Sequence, residues 1–265
     1  MEYAIMLTSL ESFKNVSDKY TRVYYGDAFC PRLQFNLEQI KRLVDNCEVR
    51  GKDLTLVTSY MTEENIEKLD EILIYLKKCE KKCEIVVNDW GGIYYLKNEY
   101  LGDFDLILGR LLNKIKKSPI ISNIYKKLNK DSQTALQTAS SNFPASWELY
   151  SKYGISKVEF ENTIQENRFA KNYPLMKTLI YPYVFISNSR RCFTDYIMKD
   201  NQEYDIGSCN KYCESMELNL FNKVMCRDVV LKGSTYYYIN TVLPSNLEEY
   251  SRIVIQDNVP LDIRL

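Results

Sequence analysis

What constrains this chain most is a rhythm: short apolar or alternating runs return about every twenty to thirty residues, with helical patterns between them. The runs YAIMLT (3–8), TRVYYG (21–26), DLTLVTS (53–59), EIVVND (84–89) and DLILGR (105–110) read as strands. Between them, Asn36 and Gln39 form a capping-box-like start before Leu37, Ile40, Leu43 and Val44, and Thr62 precedes the acidic first turn of Glu63 and Glu64. Strands alternating with helices of this length indicate a parallel sheet, doubly wound or closed into a barrel. The segment 113–143 breaks the rhythm; it is polar and weakly periodic, and reads as an insert with at least one short helix. Regularity returns with ASWELYSKYG, a helix closed by Gly154, then the strand ISKVEFEN and one long strand, MKTLIYPYVFIS (176–187). DVVLKGSTYYYIN reads as a hairpin turning at Lys232 and Gly233. No internal repeat or linker divides the chain, so residues 1–265 are expected to form a single domain.

The chain has eight cysteines and no histidine. Without imidazole there is no His-containing zinc site, no Ser-His-Asp triad and no Cys-His nucleophile. Thirty-five basic and thirty-five acidic side chains cancel, so the whole-molecule field attracts neither nucleic acid nor an anionic membrane. No long apolar run predicts a membrane span, and the start MEYAIMLTSLESF lacks the pattern of a signal peptide; a cytoplasmic protein is expected. In that reducing compartment the cysteines are expected to be metal ligands, reactive thiols or buried thiols rather than disulfides.

Two pairs share C-x-x-x-C spacing. Cys79 and Cys83 extend the helical stripe Ile66, Leu69, Ile72, Leu73 and Leu76, which predicts that both are packed in the core; Cys47 extends a similar stripe. Cys209 and Cys213 have polar neighbours in a segment that reads as loop, where metal-ligand bonds can replace a missing core. Cys192 begins this loop just past a strand. The fourth ligand is open between Cys30, in a turn marked by Pro31, and Cys47 or Cys226. Four thiolates suit zinc or an iron-sulfur cluster.

VYYGDAFCPR (23–32), VVNDWGGIYYL (86–96) and DLILGRLLNK (105–114) resemble segments of the collagenase-like peptidases of unassigned mechanism. Within them the likeness is to the iron-sulfur proteins of oxygen-independent ubiquinone hydroxylation, the UbiV type, and spans about residues 1–215. The resemblance implies an irregular (β/α) TIM-barrel-like fold. It also implies a 4Fe-4S cluster on one early and three late cysteines, here Cys30, Cys192, Cys209 and Cys213, with Cys226 in reserve. It implies an aromatic or quinone-type substrate and a related partner chain. The peptidase branch's glutamate- and glycine-containing signature has no convincing copy, so proteolysis is not expected.

A parallel barrel carries chemistry at its C-terminal strand ends, here Asp27, Ser59, Asn88, Asp89, Arg110, Glu161 and Asn188. Asp89 and Arg110 are the catalytic candidates, as a pocket carboxylate and an anion clamp. Polar residues there also cap helices and make turns. Lys114, Lys116, Lys117, Lys126, Lys127 and Lys130, with Tyr125, form a basic run that would suit RNA, the substrate of other members of that superfamily; a solvated face is the commoner explanation. A non-catalytic, metal-stabilised binding protein is the third reading.

Overall fold

A computed structural model describes residues 1–199, 209–221, 223–225 and 227–256. The first half runs β1 (Glu2–Leu7), β2 (Arg22–Gly26), α1 (Leu37–Val49), β3 (Asp53–Val57), α2 (Glu63–Lys78), β4 (Cys83–Val87), α3 (Trp90–Glu99) and β5 (Asp105–Leu108). The insert carries α4 (Ile121–Ile124) and α5 (Lys130–Gln137), and α6 (Pro144–Lys152) leads into β6 (Ile155–Glu161) and β7 (Met176–Tyr181). The rest comprises β8 (Tyr183–Asn188), α7 (Phe193–Met198), β9 (Leu218–Leu220), β10 (Val229–Lys232), β11 (Thr235–Ile239) and β12 (Arg252–Gln256).

Eight parallel strands close in the order β1-β12-β7-β6-β5-β4-β3-β2, a TIM-barrel-like (β/α) barrel. The closing strand, β12, pairs with β1 from Glu2↔Arg252 to Met6↔Gln256 and with β7 from Arg252↔Thr178. Because successive strand residues face opposite sides, two cores form. Ile5, Val23, Leu54, Leu56, Ile85, Leu106, Val158 and Leu179 point outward and pack with Ile40, Leu43, Leu69, Ile72 and Leu76 of α1 and α2. Ala4, Met6, Tyr24, Val57, Val86, Ile107, Ile180 and Val254 point inward and fill the barrel.

The expected starts of α1 and α2 are present: Asn36 and Gln39 make a reciprocal capping box, and Thr62 accepts from the Asn65 amide. Two expectations are corrected. MKTLIYPYVFIS is two strands rather than one, because Pro182, joined to Tyr181 by a cis peptide, offers no N–H to a ladder. β7 stays in the barrel, whereas β8 turns into an antiparallel sheet ordered β8-β11-β10-β9. That sheet includes the expected hairpin, with Gly233 at φ +59° between β10 and β11. Its Phe185 and Tyr237 join the inward-facing residues of the barrel, so it covers the C-terminal mouth.

The second correction concerns the first cysteine pair. α2 ends at Lys78, leaving Cys79 as its exposed C-cap, and Glu80 at φ +51° redirects the chain so that Cys83 is the buried first residue of β4. The two thiols therefore share no helix face. Among the described residues no helix is long and apolar enough to cross a membrane.

Candidate functional site

A cavity of about 730 Å³ opens at the C-terminal mouth, between the ends of β1, β2 and β12 and the covering sheet. Cys30, Cys192, Cys209 and Cys213 all line it. Each is set by local backbone. Asp27, just past β2, accepts the Phe29 and Cys30 amides on Oδ1 at 2.7 and 2.6 Å, a turn that fixes the Cys30 backbone before Pro31. The Asn188 side chain, at the end of β8, donates to the Phe29 carbonyl at 3.3 Å and ties that turn to the covering sheet. Cys192 is the N-cap of α7, its Sγ accepting the Asp195 amide at 3.4 Å. The Sγ of Cys209 accepts the Lys211 amide at 3.4 Å. Cys213 sits in a single 3-10 turn and is buried, contrary to the polar-loop expectation, because the β10–β11 hairpin packs on it. A Cβ on Gly233 would lie 3.6 Å from the Cys213 sulfur, in a backbone region that side chains rarely adopt.

The thiols feel one another. Burial, then Cys192, Cys30 and Cys209, push the Cys213 thiol up to about 12. Burial and Asp27 do the same to Cys30, also to about 12, against the opposing amides of Arg32 and Leu33. Burial likewise raises Cys192, opposed by the amides of Asp195 and Thr194. Amides aimed at sulfur favour thiolate, while burial and crowding oppose it. Such a set ionises readily only beside a strong cationic centre, which is what a thiolate metal site supplies. The donor set therefore fits a tetrathiolate group in its chemistry, and the four thiols share one cavity wall. Among the described residues no three Cys, Asp or Glu side chains are already gathered closely enough to hold a metal ion. Cys226 lies outside the described residues.

Of the rim candidates, Asp27 and Arg110 line the cavity and Asp89 does not. Asp89 is the N-cap of α3, accepting the Gly91 amide at 2.9 Å. Asn88 is buried and structural, donating to the Thr58 carbonyl at 2.8 Å and accepting the Leu111 amide at 3.0 Å. Ser59 is buried, its hydroxyl donating to the neighbouring Tyr60 carbonyl. Arg110 is 2% exposed and lies over the Phe29 ring, 4.9 Å from its centroid. Its Nη1 reaches Glu161 Oε2 only at 3.5 Å, and its Nε has no hydrogen-bond partner among the described residues.

Of the basic run, Lys114, Lys116, Lys126, Lys127 and Lys130 are exposed, but Lys117 turns inward. Its Nζ lies 3.9 Å from Glu161 Oε1 and 3.9 Å from the Phe185 ring centroid. Sequence reasoning also missed Gln256, Tyr237 and Lys232, all of which line the cavity. Burial pushes the Lys232 amine down to about 8, against the neighbouring Cys213, Glu217 and Asp27. The readable signal for Gln256 and Lys232 was a polar residue at a strand end; Tyr237, in the middle of β11, carried none.

Barrel and cavity together define a class: a parallel (β/α) barrel with a cysteine-lined cavity at its C-terminal mouth. No protein-family model matches the sequence, and no curated protein matches it. Among solved structures, one titled "The Structure of the U32 Peptidase Mk0906" is similar, with 10% identity, a TM-score of 0.48 and coverage of 97% of this chain and 93% of that one.

Proposed function

We propose that this chain is an iron-sulfur protein, with Cys30, Cys192, Cys209 and Cys213 as ligands of a 4Fe-4S cluster, and that it serves oxygen-independent hydroxylation of an aromatic or quinone-type ring. One observation carries the reading: four thiols from segments up to 183 positions apart in sequence (213 minus 30) line a single cavity at the barrel end where parallel barrels keep their chemistry. Core packing alone gives no reason for four thiols to meet beside Asp27, Lys232 and Arg110. The bound cluster would supply one-electron chemistry next to the ligand chamber.

The chain's own residues supply the rest. Phe29 and Tyr237 give the cavity an aromatic wall, their centroids 5.7 Å apart, and Phe185 packs against Phe29 with centroids 4.6 Å apart. A flat ring binds such a surface by offset stacking or edge contacts. Arg110 offers hydrogen-bond donors to an oxygen substituent of that ring. Lys232 and Lys211 line the same cavity and bring positive charge to the thiols.

The test is anaerobic purification or reconstitution, with iron and sulfide analysis and a visible spectrum. The protein is then incubated without oxygen with quinone precursors, alone and with a related partner chain, and product is read by mass spectrometry. Iron near four atoms per chain and added oxygen on a ring are expected. Zinc in place of iron, or peptide cleavage that survives Cys209→Ala, would sink the reading. Oxygen added to RNA would redirect it to a nucleobase substrate. A cluster with no turnover would leave a metal-stabilised binding protein.

A further inference from the structure

β6 reads Lys157, Val158, Glu159, Phe160, Glu161, so three charged side chains alternate into the barrel between two outward-facing apolar ones. Lys157 joins the ion pairs at the N-terminal end, and Glu161 meets Arg110 at the cavity end. Glu159 lies between these layers, 1% exposed, and no salt bridge reaches it among the described residues. Among the described residues its Oε2 accepts only the Arg110 amide, at 3.4 Å, and its Oε1 has no partner. The charged or titratable groups that face it are Arg110 after β5, Glu161 on β6, Arg252 on β12 and Tyr24 on β2. Both cations are committed elsewhere: Arg252 to Glu84 and Glu2, and Arg110 toward Glu161 and Gln256. A buried carboxylate with no cation of its own carries a large desolvation cost, which a proton removes.

Arg110 connects this carboxyl to the chamber. Its backbone amide touches Glu159, while its guanidinium lines the cavity beside Gln256. Gln256 meets that guanidinium in either amide orientation, at 3.3 Å to Nη1 or, with the amide turned, at 2.9 Å to Nη2. The positive charge of Arg110 favours the Glu159 carboxylate. An anion arriving beside Arg110 offsets that effect and strengthens proton binding at Glu159, and by linkage the protonated state strengthens anion binding. We propose that Glu159 is an internal proton-binding site of the barrel, taking up a proton on Oε1 as negative charge enters the cavity and releasing it as that charge leaves. The proton comes from and returns to solvent, and no bond other than O–H is made or broken. Burial, opposed by Arg110 and reinforced by Glu161, pushes this carboxyl up to about 7, so the site would work near neutrality. The proposal concerns the chamber described above but uses none of its thiols, so its failure and the failure of the iron-sulfur reading are separate results.

The experiment is carboxyl titration of the full chain, purified without added metal, by carbon-13 NMR of side-chain-labelled glutamate from pH 5 to 9. One glutamate is expected to titrate near neutrality and to vanish from that window in Glu159→Gln. Two further variants test the coupling and keep the test open if Glu159→Gln does not fold. Gln256→Glu places an anion on the cavity wall beside Arg110, and should strengthen proton binding about tenfold, one pH unit. Glu161→Gln removes a neighbouring anion and should weaken it by a similar factor. A merely structural Glu159 would not give shifts of opposite sign. No glutamate titrating near neutrality, or one that persists in Glu159→Gln, overturns the proton site. Shifts of the same sign, or none, overturn the coupling.

Discussion

At the scale of single residues, the cysteines separate by setting rather than by spacing. Cys209 and Cys213 converge on the cavity with Cys30 and Cys192, whereas Cys79 is an exposed helix cap and Cys47 lies on the buried face of α1. Replacing Cys209 or Cys213 by Ala should abolish iron incorporation; Cys79→Ala should leave iron content unchanged and stability within about 0.5 kcal/mol. Equal iron in all three variants would remove the cavity thiols as ligands. Gly109 gives a second contrast. A Cβ there would lie 2.2 Å from the Asn88 carboxamide oxygen, which accepts the Leu111 amide and so holds the loop that delivers Arg110. Gly109→Ala should cost about 1–3 kcal/mol in denaturant unfolding and loosen the Arg110 wall. A neutral result would mean that Asn88 can swing aside without loss.

At the scale of elements, what was legible followed from local chemistry. The strands of the first half, the capping box at Asn36 and the hairpin at Gly233 each rest on residues within a few positions, and the structure has them all. What was not legible needed distant partners. RIVIQ (252–256) is as long as β2 or β3 but lies outside the strand-helix rhythm of the first half, yet it becomes the strand that closes the barrel because β1 and β7 both leave an open edge for it. Pro182 was visible in the sequence, but its effect, sending β8 out of the barrel, depends on the covering sheet that β8 joins. In the same way, Asp89 looked like a pocket residue only because helix caps and pocket rims share the strand-to-helix position. As the cap of α3, Asp89→Ala should lower stability by about 1 kcal/mol and leave iron content and ring binding unchanged. Loss of turnover with intact stability would restore it as a catalytic carboxylate.

At the scale of the whole molecule, the barrel is locked at its N-terminal end by an ion network spanning the closure point. Glu2 of β1 takes Arg22 of β2 and Arg252 of β12, each at 2.7 Å, and Glu84 takes Arg252 at 2.6 and 3.0 Å and Lys157 at 2.7 Å. These side chains face inward, so the network ties the first and last strands across the barrel floor. Burial opposes ionisation of Glu84, but Arg252, Arg22 and Lys157 outweigh it and push the carboxyl from its ordinary 4.5 down to about 2. A carboxyl depressed in the folded state adds stability that is complete above its unfolded value and is lost as pH falls through the folded one. Here that window runs from 4.5 down to about 2, and the linked contribution is on the order of 3 kcal/mol. Glu84→Gln leaves Arg252 and Lys157 short of a countercharge and should cost about 3–5 kcal/mol at pH 7. Denaturant unfolding of metal-free protein should show that gap narrowing as pH falls from 5 toward 2, because acid removes from the wild type the charge that the variant never had. As a control, Glu38→Gln breaks only the exposed pair with Lys41 and should track the wild type at every pH. A gap that stays constant from pH 7 to pH 2 would show that Glu84 acts through packing, and that the floor of the barrel is closed by the strand ladder alone.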